Sequence, residues 1–307
     1  MVADTFEHAK TAAASRPSMD GVYYPDGKLN IDFLKKNAEL LEGAGEYHLA
    51  SNIYRTMLAN GEARAIAYNG LANCALKELK LEEAARCLDE SLAYQPDAKV
   101  YENLGAVLNK LKRDQSAAET LERGLAMKSL TTEDIKRMKY IAADYWRAAG
   151  ILPKAEKHYS ELSEMDPHSE ELQCSLGELA SLRNAQEDAK KRFQMALAQN
   201  PRSARALHGL GMAHFSLGDK KTAHDLFARS LDQKINNAEA VFHLVKIAFE
   251  ARTYVTAARI LGEYIKHAPV NANLLYSLAG LQFHLGRFGE ARSSATKSLE
   301  MQPNHSG

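Results

Sequence analysis

The stretch "ALHGLGMAHFSLGDKKTAHDLF", residues 206–227, gathers His208, His214, His224 and a Gly-x-Gly, the residue types of a metal centre or a phosphate loop. Neither chemistry survives the spacing. His208 and His214 are six residues apart, so on a helix they point about 120° away from each other, whereas zinc ligands on one helix must share a face, as His-x-x-x-His does. His224 lies beyond Gly218 and Asp219, which stop one helix and start the next, and no second cluster of Cys, His or carboxylates completes a set. Gly209 and Gly211 lack the third glycine, the preceding β-branched strand and the downstream acidic residue that a dinucleotide loop requires. No Ser-His-Asp set, Walker loop, metal helix or placed carboxylate pair occurs elsewhere, and the acidic residues fall at the i, i+3, i+4 spacing of a solvated helix face. The sequence therefore predicts no metal, no cofactor and no enzyme. Small residues within a helix mark close helix contact, so the elements around this stretch must explain it.

The 307 residues suffice for two ordinary domains or one extended array, and 25% charged with 45% hydrophobic residues suits a folded chain. Lys plus Arg and Asp plus Glu both number 39, so no net field recruits nucleic acid or an anionic membrane. No apolar run approaches the ~18 residues of a membrane span. The opening "MVADTFEHAKTAAASR" has no apolar core of an export signal, which predicts a cytoplasmic protein without membrane insertion. Cys74, Cys87 and Cys174 lack metal spacing and sit in apolar helical patterns, as buried thiols do. Few prolines and almost no β-branched runs predict an all-helical chain.

Those helices recur with a fixed period. Ala155, Ala189, Ala223, Ala257 and Ala291 are each 34 residues apart without a gap. Tyr159, Phe193, Phe227, Leu261 and Ala295 form a mostly large apolar column, and Pro167, Pro201, Ile235, Pro269 and Pro303 a mostly proline one. Ser169, Ser203, Asn237 and Asn271 form a column of helix N-caps, whose side chains accept from otherwise unpaired backbone N–H groups. The proline two residues earlier stops the preceding helix, the alanine lets two helices approach, and the aromatic fills the space beside it.

Two helices per 34 residues with these columns resemble the tetratricopeptide repeat. Leu207, Leu210, Gly211, Gly218, Ala223 and Phe227 occupy that motif's characteristic places, so the opening stretch is most of one repeat, with Gly211 against the partner helix and "LGD" in the turn. The frame extends to eight units over 31–305, beginning near Ile31, Ala65, Ala98, Lys136, Glu170, Ala204, Ala238 and Ala272, after an N-terminal extension over 1–30 read as a partly helical or extended tail. One insertion, "SLTTED", precedes the fourth unit, where Thr131 and Asp134 make a capping pair. Leu79 and Lys112 stand in place of the turn glycine, and Gln282 in a usually aromatic place. The polar last helix, "EARSSATKSLEM", is expected to serve as its own solvent-facing end, with no separate capping helix. The resemblance implies an all-α, right-handed α-solenoid, since one repeat cannot bury its apolar face alone.

In this family positions 2, 5, 9 and 12 of each first helix line a concave groove. The last three units place Arg205, His208, Met212 and Phe215, then Glu239, Phe242, Lys246 and Phe249, then Asn273, Tyr276, Gly280 and Phe283 there. Aromatic and methionine side chains can anchor a peptide or helix, while in the family such residues also pack on the neighbouring helix. The fourth unit presents Arg137, Tyr140, Asp144 and Arg147, a polar strip. Some family members clamp a peptide carboxylate with Asn and basic residues; Asn73, Asn103 and Arg137 match three such places, but Asn69 and Ile141 replace basic ones. Val22, Tyr23 and Tyr24, between two Asp-Gly turns, either cover the first unit or act as a latch in a groove. The resemblance implies an adaptor or scaffold that binds a segment of another protein. Alternatives are self-assembly through the tail or the solenoid ends, and reception of a peptide or small molecule.

Overall fold

The computed structural model describes residues 21–24, 27–61 and 63–303, and among them contains sixteen helices and one isolated antiparallel bridge between Tyr23 and Leu29. The helices pair as α1 (Ile31–Gly43) with α2 (Tyr47–Ala59), α3 (Arg64–Lys77) with α4 (Leu81–Tyr94), α5 (Ala98–Lys110) with α6 (Asp114–Leu125), and α7 (Thr132–Ala148) with α8 (Leu152–Met165). The series continues with α9 (Glu170–Leu182) and α10 (Gln186–Gln199), α11 (Ala204–Ser216) and α12 (Lys220–Gln233), α13 (Ala238–Ala251) and α14 (Tyr254–His267), and α15 (Ala272–His284) and α16 (Phe288–Met301). From α1 to α7 and from α9 to α16 each helix packs chiefly on its neighbours in sequence, and the chain is an all-α solenoid. Two compact units divide it, one ending at His158 and the other beginning at Tyr159.

The capping column operates as its residue types dictate. Side chains of Ser203, Asn237 and Asn271 accept from the N–H groups of Ala206, Ala240 and Leu274 at 3.1, 3.0 and 2.9 Å. Asn30 and Asp97 do the same ahead of α1 and α5. Thr131 and Asp134 form a reciprocal capping box, but it starts α7 at Thr132 rather than near Lys136. The insertion thus adds a helical turn at the start of the helix instead of a loop. A further device recurs: the hydroxyls of Ser91, Ser230 and Ser298 each donate at 2.8 Å to the carbonyl 26 residues earlier, of Ala65, Ala204 and Ala272. This bond ties the second helix of a pair back to the start of the first.

The alanine column runs further than the five gapless units. Ala50, Ala84 and Ala117 share its frame position, and together with Ala155, Ala189, Ala223 and Ala257 they are fully buried, with Ala291 nearly so. Beside it the apolar cores form. In the N-terminal unit Leu34, Ile53 and Met57 belong to one cluster and Leu88, Leu121 and Met138 to another; in the C-terminal unit Phe193 and Leu207, then Phe227, Leu244 and Leu261, do the same. Cys74 and Cys174 are buried and Cys87 half-buried, all unbridged, and burial pushes the Cys174 thiol up to about 12.

The glycines of the Gly-x-Gly have separate packing roles. A methyl group on Gly211 would meet the Phe227 ring of its own repeat at 2.8 Å, and one on Gly209 would overlap the Phe193 ring of the preceding repeat. Gly177 serves Phe193 as Gly211 serves Phe227, at 2.9 Å. Phe193 is therefore held between a glycine of its own repeat's first helix, Gly177, and a glycine of the next, Gly209.

Before α1, Val22 and Leu29 are buried in the first cluster, and Asn30 N–H donates to the Val22 carbonyl at 2.8 Å. Tyr23 and Tyr24 stay exposed. The rest of the extension expected over 1–30, residues 1–20, 25 and 26, lies outside the described residues.

Every turn within a pair passes through the left-handed region at one frame position. Gly45, Gly150, Gly218 and Gly286 occupy it in four repeats, and Leu79 (φ 61°), Lys112 (60°), Asn184 (60°) and Arg252 (58°) in the others. A side chain with a Cβ costs ~1 kcal/mol there relative to glycine. Leu79 is exposed and contributes little packing in return. Leu79→Gly is expected to raise stability by ~0.5–1 kcal/mol, and Gly209→Ala to lower it by ~1–3 kcal/mol through overpacking. Urea unfolding of the single variants, and recovery of Gly209→Ala by Phe193→Leu, checks both.

Candidate partner-binding surface

The strip on α11, α13 and α15 is built by consecutive first helices of the C-terminal unit, and its residues divide by what lies beneath them. Met212 and Phe215 lean into the core cluster around Phe227 and Leu244. Phe215 also meets the His243 ring at 4.8 Å, and the Lys246 ammonium lies 5.7 Å from its centroid. Phe249 is intermediate: its ring touches Gly280 and pairs edge-on with Tyr254 and His284 at 6.0 Å. Phe242, Tyr276 and Phe283 project outward, at 63%, 45% and 59% exposure. Tyr276 and Phe283 also border a cavity of about 430 Å³ formed by α15 and α16.

The polar members of the strip are already engaged. Arg205 donates two charge-assisted bonds to Glu178 on α9, at 2.6 and 2.9 Å, and a third to Ser175 at 3.1 Å. His208 lies 3.7 Å from Glu239, beyond hydrogen-bonding reach. It borders a cavity of about 450 Å³ with Arg205, Lys234 and Asn237. Burial holds its imidazole below the usual range against the opposing pull of Glu239, and burial does the same to His243, helped by Lys246. The three histidines of the opening stretch do not converge: His214 pairs with Asp219 at 3.0 Å and His224 with Asp225 at 3.3 Å. Among the described residues no group of three His, Cys, Asp or Glu could hold a metal ion.

Sequence reasoning did not single out His243. Its signal is the period itself, since it stands 34 residues after Gly209. Where Gly209 leaves room for Phe193, the His243 ring stacks on Phe227 at 5.7 Å.

The polar strip of the N-terminal unit is differently placed. Arg137 donates to Glu102 at 2.7 Å and to Asp134 at 2.6 Å, with Glu102 itself buried. Arg147 donates to Asp144 at 3.1 Å. Asn73, Asn103 and Tyr140 are half-buried on their first helices. The guanidinium in a basic clamp place is thus neutralised by two carboxylates of its own chain.

The family model described as "Tetratricopeptide repeat" matches residues 75–129, 187–238 and 242–306, more than half of the chain. The chain belongs to the tetratricopeptide repeat family. A tetratricopeptide repeat protein of Parabacteroides merdae shares 16% identity over 79% of this chain and 94% of its own, with a TM-score of 0.54. Pseudomonas aeruginosa pilF shares 17% over 67% and 92%, with 0.52. The structure of the Cut9–Hcn1 hetero-tetramer of APC/C contains a chain with 14% identity over 97% of this chain and 51% of its own, at 0.50. These likenesses show the fold. No curated protein matched the sequence. Tetratricopeptide repeats are in general a scaffold for protein–protein interaction. No helix among the described residues is long and apolar enough to cross a membrane.

Because both half-buried imidazoles bind a proton less readily in the folded state, the unfolded chain gains protons first as pH falls below ~6.5. Stability is therefore expected to drop between pH 7 and 5. His208→Gln should make that slope shallower, which thermal unfolding of the two proteins across the range checks.

Proposed function

We propose that the chain is a non-enzymatic adaptor that holds an extended or helical segment of another protein against the first-helix strip of its last three repeats. The observation that carries this reading is the outward projection of Phe242 and Tyr276, at the same frame position of consecutive repeats, and of Phe283, two turns beyond Tyr276 on the same helix. A folded protein gains by burying such rings, and large exposed apolar patches mark interaction sites. Here Arg205 is held by Glu178 and Lys246 lies near the Phe215 ring, so the rings lie among few uncommitted charges. Met212, Phe215 and Phe249 supply the floor on which anchors would seat, with His208 at one end. The polar strip of Asn73, Asn103, Arg137, Tyr140 and Arg147 has a secondary role, because Arg137 must release Glu102 before it can take a carboxylate.

Removing two exposed anchors worth ~2 kcal/mol together should weaken partner binding by more than tenfold. Capture from the native cell extract, quantified by mass spectrometry, would compare the intact protein with Phe242→Ala/Tyr276→Ala and with Val255→Ser. Val255 is an equally exposed apolar residue at the start of α14. Loss of specific partners by the double variant alone is the expected result. Identical capture by all three, with helicity preserved, would return the strip to ordinary packing.

A further inference from the structure

Between the sixth and seventh repeats a cavity of about 450 Å³ opens beside the first-helix strip. Arg205 and His208 of α11, Ser230 and Lys234 at the end of α12, and Asn236 and Asn237 ahead of α13 line it, and no carboxylate is among its lining residues. Two carboxylates stand outside it. Glu178 binds the Arg205 guanidinium at 2.6 and 2.9 Å, and Glu239 lies 3.7 Å from His208 Nε2.

The polar groups of the wall are unevenly committed. Arg205 is occupied by Glu178, and the Ser230 hydroxyl donates to the Ala204 carbonyl. Asn237 Oδ1 accepts from the Ala240 N–H, which leaves the amide N–H groups of Asn237 as donors. The side chains of Lys234 and Asn236 make no ion pair or hydrogen bond among the described residues. The cavity therefore combines one uncommitted cation with two amide groups and has no anion of its own.

This chemistry belongs to one junction. At 34-residue spacing Arg205, His208, Lys234 and Asn236 become Glu239, Phe242, Ala268 and Val270 at the following junction, and Glu171, Cys174, Asn200 and Arg202 at the preceding one. Stacking is satisfied there with acidic and apolar residues at the same places, so contact between repeats does not require the basic set.

We infer that this cavity receives the side-chain carboxylate of an aspartate or glutamate in the partner segment, held by the Lys234 ammonium and the amides of Asn236 and Asn237. The inference rests on the strip reading above and adds a chemical requirement that the exposed rings do not impose. Charge complementarity of this kind selects among partners that offer equivalent apolar anchors. Ala238, which also borders the cavity, stands four residues before Phe242, about 6 Å along α13. An extended segment advances ~3.3 Å per residue, which places the acid about two residues from the side chain seated on Phe242.

The test selects random 12-residue peptides on the full chain, displayed as fusions through their C-termini so that no terminal carboxylate is free. Peptides whose capture is lost with Phe242→Ala are expected to carry Asp or Glu about two residues from an apolar anchor. In anisotropy titrations of one such peptide, labelled and C-terminally amidated, replacing the acid by its amide should weaken binding about fivefold or more, as loss of a partly screened charge-assisted hydrogen bond does. Lys234→Ala should do the same, and the two changes together should cost little more than either alone. Lys221→Ala, at the far end of α12, should leave affinity within twofold. Selection on Lys234→Glu should replace the acid by Lys or Arg, with circular dichroism checking that each variant keeps its helicity. Phe242-dependent peptides without an acid preference, or with an acid indifferent to Lys234→Ala, overturn the inference and leave the strip reading standing. Absence of any Phe242-dependent peptide overturns both.

Discussion

The structure depends on how closely the two helices of a pair can approach, and one alanine per repeat sets that distance. At its position the second helix meets the first with only a methyl group between them, and in seven of the eight repeats that methyl is fully buried. Close approach leaves a gap one turn later on the second helix, which the aromatic of the next column fills. A glycine on the facing helix accepts that ring, as Gly177 does for Phe193 and Gly211 for Phe227. The ring is long enough to reach the following repeat, where Gly209 or His243 meets it. Contact within a pair thereby commits the chain to contact between pairs, and this is why repeats of this kind are stable only as a stack.

The period made much of this legible. A constraint that acts once in a globular core leaves one residue among many, but here the alanine, the ring and the N-cap recur at 34-residue intervals, so the spacing reveals the column. Departures from the columns were legible as departures without their structural cost. Leu79 and Lys112 were visible as missing glycines, yet only the backbone shows that they keep the left-handed turn rather than change its path. The insertion before the fourth repeat read as a break, and its capping box makes it the first turn of a longer helix.

The candidate strip was legible in direction and not in depth. Frame position fixes which side of a helix a residue faces, so Phe215, Phe242 and Phe283 read alike. Their exposure depends on neighbours that no single helix encodes. Phe215 lies on a cluster that includes the next repeat's Val241 and Leu244, whereas Phe283 has only its own pair beside it. Arg137 is a similar case. Its place marked it as a basic group of the strip, but its charge is consumed by Glu102, 35 residues away in sequence, and by Asp134.

The last repeat separates the two kinds of surface that a stack of this sort leaves. Along its length every repeat offers a strip that stacking does not use, and the residues there can vary without disturbing the alanine contact or the ring. At its end the repeat offers the very surface that stacking does use, with Phe288 and Leu299 where interior repeats have packed side chains. A polar last helix would ordinarily close such an end. Here α16 is polar on the side that bears Ser293, Lys297 and Glu300, but not on the side that bears Phe288, Ala295 and Leu299. The side of α16 that stacking would use therefore keeps the apolar spacing of Tyr254, Leu261 and Ile265 in the repeat before it, and its other side does not.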